Sequence, residues 1–63
     1  MNFSENLREA RKAAKLTQGD MAKYLHIHRT TYTKYETQNV QPSFEHLVVI
    51  TKVLRVSVDD LLK

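Results

Sequence analysis

Apolar residues recur along this chain at helical spacing, in short runs separated by polar breaks. Phe3, Leu7, Ala10 and Ala14 step by four, three and four, which puts them on one helix face. The pattern predicts a first helix from about Ser4, read as its N-cap, to Lys15. Arg8, Arg11, Lys12 and Lys15 fill its other face, gathered toward the C-terminal end where the helix dipole favours cations. A second helix is predicted from Thr17 as N-cap to about Leu25, burying Met21, Ala22 and Leu25. The third runs from about Arg29 to Glu36 with His28 as its cap, and Ile27, Tyr32 and Tyr35 form its inward stripe. Pro42 and Ser43 open a fourth helix through Leu54, with Phe44, Leu47, Ile50 and Leu54 at inward spacing. Ser57 and Asp60 then form a capping-box pattern ahead of Leu61 and Leu62, which predicts a fifth. The expected fold is all-α: one compact five-helix domain over residues 1–63, with no repeat, linker or low-complexity stretch.

The third helix has the most telling polar face. With Tyr32 and Tyr35 turned inward, Arg29, Thr30, Thr33 and Lys34 are left outward, with Thr37 just beyond. That face carries two cations and several hydroxyls but no carboxylate before Glu36. A helix needed only for solubility mixes both charge signs. A helix seated in the major groove of DNA needs short donors and cations. Two short helices around the tight turn at His26–His28 therefore predict a helix-turn-helix.

Composition narrows the picture further. A chain of 63 residues has room for one core, and without cysteine neither a disulfide nor a thiolate metal site can brace it. Dimerisation is the expected supplement. The net charge of +3 and pI near 9.5 lean toward nucleic acid, though only mildly. No apolar run approaches a membrane span and no signal-peptide pattern opens the chain. The expected location is the cytoplasm, with the nucleoid.

Taken in order, LTQGDMAKYL, HIH, RTTYTKYE, QPSFEHLVVITKVL and VSVDDLL resemble the Cro/cI-type helix-turn-helix family, the xenobiotic-response-element or lambda-repressor-like domains. The resemblance runs from about Phe3 to Leu62 without a gap. It implies a five-helix fold, a recognition role for helix three and transcriptional regulation by a homodimer on a palindromic operator. It places His28, Arg29, Thr30, Thr33 and Lys34 at groove-facing positions. Of these, Arg29, Thr30, Thr33 and Lys34 are the expected base contacts, Arg29 with the geometry for a bidentate contact to guanine. Thr17, Gln18, His28, Thr37 and Asn39 are the expected DNA-backbone contacts, with helix two presenting an N-H near Thr17 to a phosphate. Arg11 and Glu36 match a pair that often forms a buried ion pair between helices one and three.

Three positions depart from the family pattern. Where relatives often have glycine, this chain has His26, Gln38 and Arg55, while its only glycine, Gly19, lies inside helix two. Left-handed non-glycine residues cost about 1 kcal/mol or more each, so a marginally stable monomer is expected. The loop after helix three is also neutral where relatives tend to be basic, which lowers the expected phosphate affinity.

Helix four carries more valine than its inward stripe needs. Val49 and Val53, four apart, are expected to form an exposed apolar strip and, with Leu62, a dimer interface; scattered surface valines are the plainer alternative. His26 and His28 straddle a turn far from His46, a poor metal set. Asp59 and Asp60 are better suited to stabilise a helix N-terminus than to acid-base work. No nucleophile–base pair or phosphate loop is present, so no enzyme, metal or cofactor is expected. The sequence thus points to a DNA-binding repressor. The competing expectation is a protein-interaction module on the same fold, such as an antitoxin or a repressor-binding partner.

Overall fold

The computed structural model describes residues 2–63, which form five helices and no strand. They are α1 (Phe3–Ala13), α2 (Gln18–Leu25), α3 (Arg29–Thr37), α4 (Phe44–Leu54) and α5 (Val58–Leu62). Helix α3 packs on both α1 and α2, α4 packs on α2, and α5 packs on α1. Leu7, Met21, Tyr32, Ile50 and Leu61 are the largest fully buried side chains, one from each helix. Each amphipathic stripe therefore ends in one shared core, which is how helices this short become stable.

The N-termini are built by side chains. Thr17 and Ser57 each close a full capping box, with Asp20 and Asp60 as the reciprocal acceptors. Ser43 accepts from the His46 N-H. The first helix differs from expectation: Asn2, not Ser4, is its cap and accepts from the Glu5 N-H at 3.0 Å. Ser4 lies inside the helix, buried, and its hydroxyl donates to the Tyr35 carbonyl at 2.6 Å. A tertiary acceptor on α3 has drawn the hydroxyl away from capping. His28 occupies the N-cap of α3 with extended backbone but makes no side-chain capping bond.

Three chain reversals share one construction. Lys15, His26 and Arg55 are left-handed, with φ of 60°, 56° and 57°. In each, the next residue returns its N-H to a carbonyl five back: Leu16 to Arg11, Ile27 to Ala22 and Val56 to Thr51. Leu16, Ile27 and Val56 then pack against the core. This is the Schellman geometry, whose left-handed position glycine fills most easily. The loop after α3 is shifted by one residue from expectation. Gln38 has φ −116°, and Asn39 takes the left-handed place at φ 52°, a conformation asparagine tolerates well.

Two expectations about α4 are corrected. Phe44 is 77% exposed rather than part of the inward stripe, because the first turn of α4 runs past the edge of the core. Val49 and Val53 are half-buried and pack against the core, so the exposed valine strip does not form. The inward face of α4 is wider than one stripe. Its exposed apolar counterparts are elsewhere, at Tyr24, Val40, Val58 and Leu62.

Glycine is placed where it helps least. A Cβ on Gly19 meets nothing nearer than Thr17 Oγ1 at 3.7 Å, and its φ is negative. Gly19→Ala is expected to stabilise the domain by roughly 1 kcal/mol. Arg55→Gly is expected to add up to about 1 kcal/mol by relieving the left-handed residue. In a domain of this size each raises the thermal midpoint by about 4–8 °C per kcal/mol. Calorimetry of the two variants checks this, and a fall in either midpoint contradicts it.

Candidate nucleic-acid interface

The helix pair α2–α3 is held at its start, its turn and its base. At the start, the Thr17 hydroxyl accepts from Asp20 N-H at 3.0 Å and the Asp20 carboxylate accepts from Thr17 N-H at 2.9 Å. These bonds hold the Asp20 carboxyl below its usual range. They also use the Thr17 N-H expected to face a phosphate. Among the described residues, the N-H groups of Gln18 and Gly19 are the first-turn donors left without a partner. At the turn, left-handed His26 folds Ile27 back onto the core.

At the base lies Glu36, only 3% exposed. Arg11 donates to its carboxylate through Nε at 2.7 Å and Nη2 at 3.1 Å, the forked geometry of a strong ion pair. Gln18 Nε2 donates at 3.2 Å and the Tyr32 hydroxyl at 2.5 Å. Burial pushes the Glu36 carboxyl upward, but the bonds from Arg11, Tyr32 and Gln18 outweigh it and hold it below the ordinary range. The Arg11 guanidinium is raised in turn, chiefly by its bond to Glu36. Burial pushes the Tyr32 hydroxyl far up, and the neighbouring carboxylate adds to the effect. Among the described residues no buried polar side-chain atom lacks a partner.

With Tyr32, Tyr35 and Glu36 buried, the rest of α3 is displayed. His28, Arg29, Thr30, Thr31, Lys34 and Thr37 are exposed, and Thr33 is half-buried. Neither Arg29 nor Lys34 takes part in an ion pair among the described residues. Thr33 is more tied than its spacing suggests, with Oγ1 2.9 Å from both Gln18 Oε1 and the Arg29 carbonyl. The Thr37 hydroxyl donates to the Thr33 carbonyl at 2.9 Å. Gln18 is likewise committed, bridging Thr33 and Glu36 rather than standing free. Asn39 accepts from the Ser4 N-H at 3.3 Å, tethering the loop after α3 to α1.

Thr31 belongs to the same exposed surface, and its hydroxyl makes no bond among the described residues. Sequence spacing passed over it because it lies four residues before the inward Tyr35, about 40° from it around the helix, at the edge of the buried stripe. Among the described residues no cluster of His, Asp or Glu could hold a metal ion. No described helix is long and apolar enough to cross a membrane.

The Glu36 network makes a testable demand on pH. The folded carboxyl titrates below its unfolded value, so its stabilisation is complete above the ordinary glutamate range. It is lost as pH falls through the lower folded value. Urea midpoints are therefore expected to drop on acidification, with a visibly shallower drop in Glu36→Gln. The residue left comes from Asp20 and Asp60, whose carboxyls are also held low by their capping bonds. Arg11→Ala, which strands the buried carboxylate, is expected to cost about 3–5 kcal/mol near neutral pH. Identical acid profiles for the parent and Glu36→Gln contradict this account.

Residues 7–61 match the protein family described as "Helix-turn-helix". The chain is 49% identical over 61 residues to the uncharacterized HTH-type transcriptional regulator YqaE of Bacillus subtilis, covering 97% of this chain and 53% of that protein. It is 41% identical over 61 residues to the cryptic phage CTXphi transcriptional repressor RstR of Vibrio cholerae, covering 97% and 54%. It is 37% identical over 62 residues to the HTH-type transcriptional activator BcrR of Enterococcus faecalis, covering 98% and 30%. The chain thus spans about half the length, or less, of these relatives. No solved structure matches it. All three relatives are named as regulators of transcription and none as an enzyme. With its helix pair braced at Thr17, His26 and Glu36, and with the family match covering all of α2, α3 and α4 and most of α1 and α5, the chain belongs to the Cro/cI-type helix-turn-helix family.

Proposed function

We propose that the chain is a sequence-specific, double-stranded DNA-binding domain of a transcriptional regulator, acting as a repressor. The carrying observation is the outward face of α3, where Arg29 and Lys34 stand unpaired among exposed threonines while its one carboxylate, Glu36, is buried and neutralised. That surface suits the major groove, where Arg29 reads guanine and Thr30 and Lys34 contact neighbouring base edges. Thr33 gives its one hydroxyl proton to Gln18 or the Arg29 carbonyl, so it contributes as an acceptor through its oxygen lone pairs, or through its methyl group. Thr17, Gln18, His28, Thr37 and Asn39 flank this face and serve the phosphates through the donors the fold leaves them. These are the Thr17 hydroxyl, the N-H groups of Gln18 and Gly19 opening α2, the His28 ring and the Asn39 amide, with Thr37 exchanging its bond to the Thr33 carbonyl. Occupying an operator blocks transcription without any further surface. Such a target lies in the cytoplasm, with the nucleoid.

The repressor acts as a dimer on a palindromic operator, with recognition helices one DNA turn, about 34 Å, apart. The half-burial of Val49 and Val53 moves the apolar contact onto α5. There Val58 and Leu62, four residues apart, are 38% and 51% exposed.

Selection from a random DNA pool followed by anisotropy titration tests the reading. Arg29→Ala is expected to lose about 1–3 kcal/mol of discrimination at one base of each half-site. Lys34→Ala, which removes a cation as well as a base contact, is expected to relax the preference at a neighbouring base and to flatten the salt dependence by up to about one unit. Absence of any selected sequence, or affinity without a salt slope, defeats the proposal.

A further inference from the structure

Away from α3, two adjoining depressions of about 500 Å³ each share Leu16 and Tyr24 as common lining. One extends past Asp20, Lys23 and His26, the other past Val53, Lys52 and Arg55. Together they make one open groove between the α1–α2 connection, the outer face of α2 and the end of α4. None of its lining residues is among those assigned to DNA.

Two independent observations converge on this groove. The first is its charge. Lys23, Lys52 and Arg55 border an apolar floor, and Lys15 sits in the chain between the lining residues Ala14 and Leu16. The single carboxylate, Asp20, is already occupied by the Thr17 N-H. The second is strain. Of the four left-handed non-glycine residues, His26 and Arg55 line the groove and Lys15 adjoins it. Each closes a helix end that glycine closes more easily. Three positions therefore retain long or ring side chains, against local preference, around one apolar floor.

We propose that this groove docks an acidic, amphipathic segment of a partner protein. An aromatic or aliphatic side chain of that segment seats between Leu16 and Tyr24, and flanking Asp or Glu residues meet Lys15, Lys23, Lys52 and Arg55. Tyr24, 53% exposed, has the character of an interface anchor: large, rigid and amphipathic. A second copy of the chain is a poor occupant, since a symmetric contact sets the same cations against one another. A phosphate backbone matches the rim but not the floor. The proposal does not rest on the DNA reading.

The test pans a random 12-residue peptide library against the whole chain and measures the enriched peptides by anisotropy. Enrichment of sequences combining Asp or Glu with Phe, Trp or Leu is expected. Their affinity should fall about tenfold or more in Tyr24→Ser, as for a central anchor. The triple variant Lys15→Gly, His26→Gly, Arg55→Gly should also lose binding while its unfolding midpoint rises, which separates binding from misfolding. DNA affinity is measured in parallel on the double variant Lys15→Gly, Arg55→Gly, which leaves the His26 turn of the helix pair intact, and is expected to change little. The proposal is overturned if no acidic–apolar peptides emerge, or if those that emerge bind the variants normally. It is equally overturned if that double variant loses DNA binding, which makes the groove a nucleic-acid surface. Failure of the parent chain to bind any DNA leaves the peptide result readable on its own.

Discussion

One buried carboxylate decides how this domain presents itself. Glu36 receives hydrogen bonds from Arg11 on α1, Gln18 on α2 and Tyr32 on α3. An isolated charge in this position would be strongly unfavourable, and only this complete set of partners makes it tolerable. The consequence is rotational. Apolar packing at Tyr32 and Tyr35 sets which side of α3 is inward, but bulky side chains can repack with small rotations. A forked ion pair cannot be rotated without losing both of its bonds. Once Glu36 is fixed against Arg11, Arg29, Thr30 and Lys34 have a single outward direction. Gln18 carries the constraint across to α2 by bonding both Glu36 and Thr33.

The helix ends follow a different logic. Lys15, His26 and Arg55 turn the chain so that Leu16, Ile27 and Val56 return to the core. Each reversal brings an apolar side chain and satisfies terminal carbonyls, which outweighs the left-handed backbone at its centre. The domain still holds three local conflicts where glycine would leave none. Its remaining stability must come from the shared core and the Glu36 network, so both tolerate little loss. That makes polar truncation at Arg11 more damaging than its distance from the outer surface of α3 suggests.

Most of the helices, and their caps at Thr17, Ser43 and Ser57, were legible because capping chemistry and apolar spacing are local. What failed to be legible was set by distant parts of the chain. Ser4 looked like a cap until the Tyr35 carbonyl claimed its hydroxyl, leaving Asn2 to do the capping. Phe44 kept perfect helical phase, yet periodicity cannot say where a core ends. Val49 and Val53 fell outside the narrow stripe but inside the wider face that α4 offers the core. The shift from Gln38 to Asn39 shows the same limit on a smaller scale, since a turn's place is known from sequence only to within a residue. For the candidate site, spacing identified the outward face of α3, but it could not reveal that Gln18 and Thr33 hold each other.

That last bond bears on how strongly one copy can hold DNA. With Thr33 and Gln18 partly committed, the unpaired charged contacts on α3 reduce to Arg29 and Lys34. The following loop, Gln38 to Gln41, adds no cation. Counterion release scales with the number of phosphates neutralised, so a single copy gains little from this source. Two copies on adjacent half-sites double the contacts, and the second binds at the high effective concentration set by the first. On the proposed reading, a domain with so few unpaired charges on α3 reaches a usable affinity more economically by dimerising. Adding cations would instead strengthen binding to every sequence alike, because phosphate contacts carry no base information.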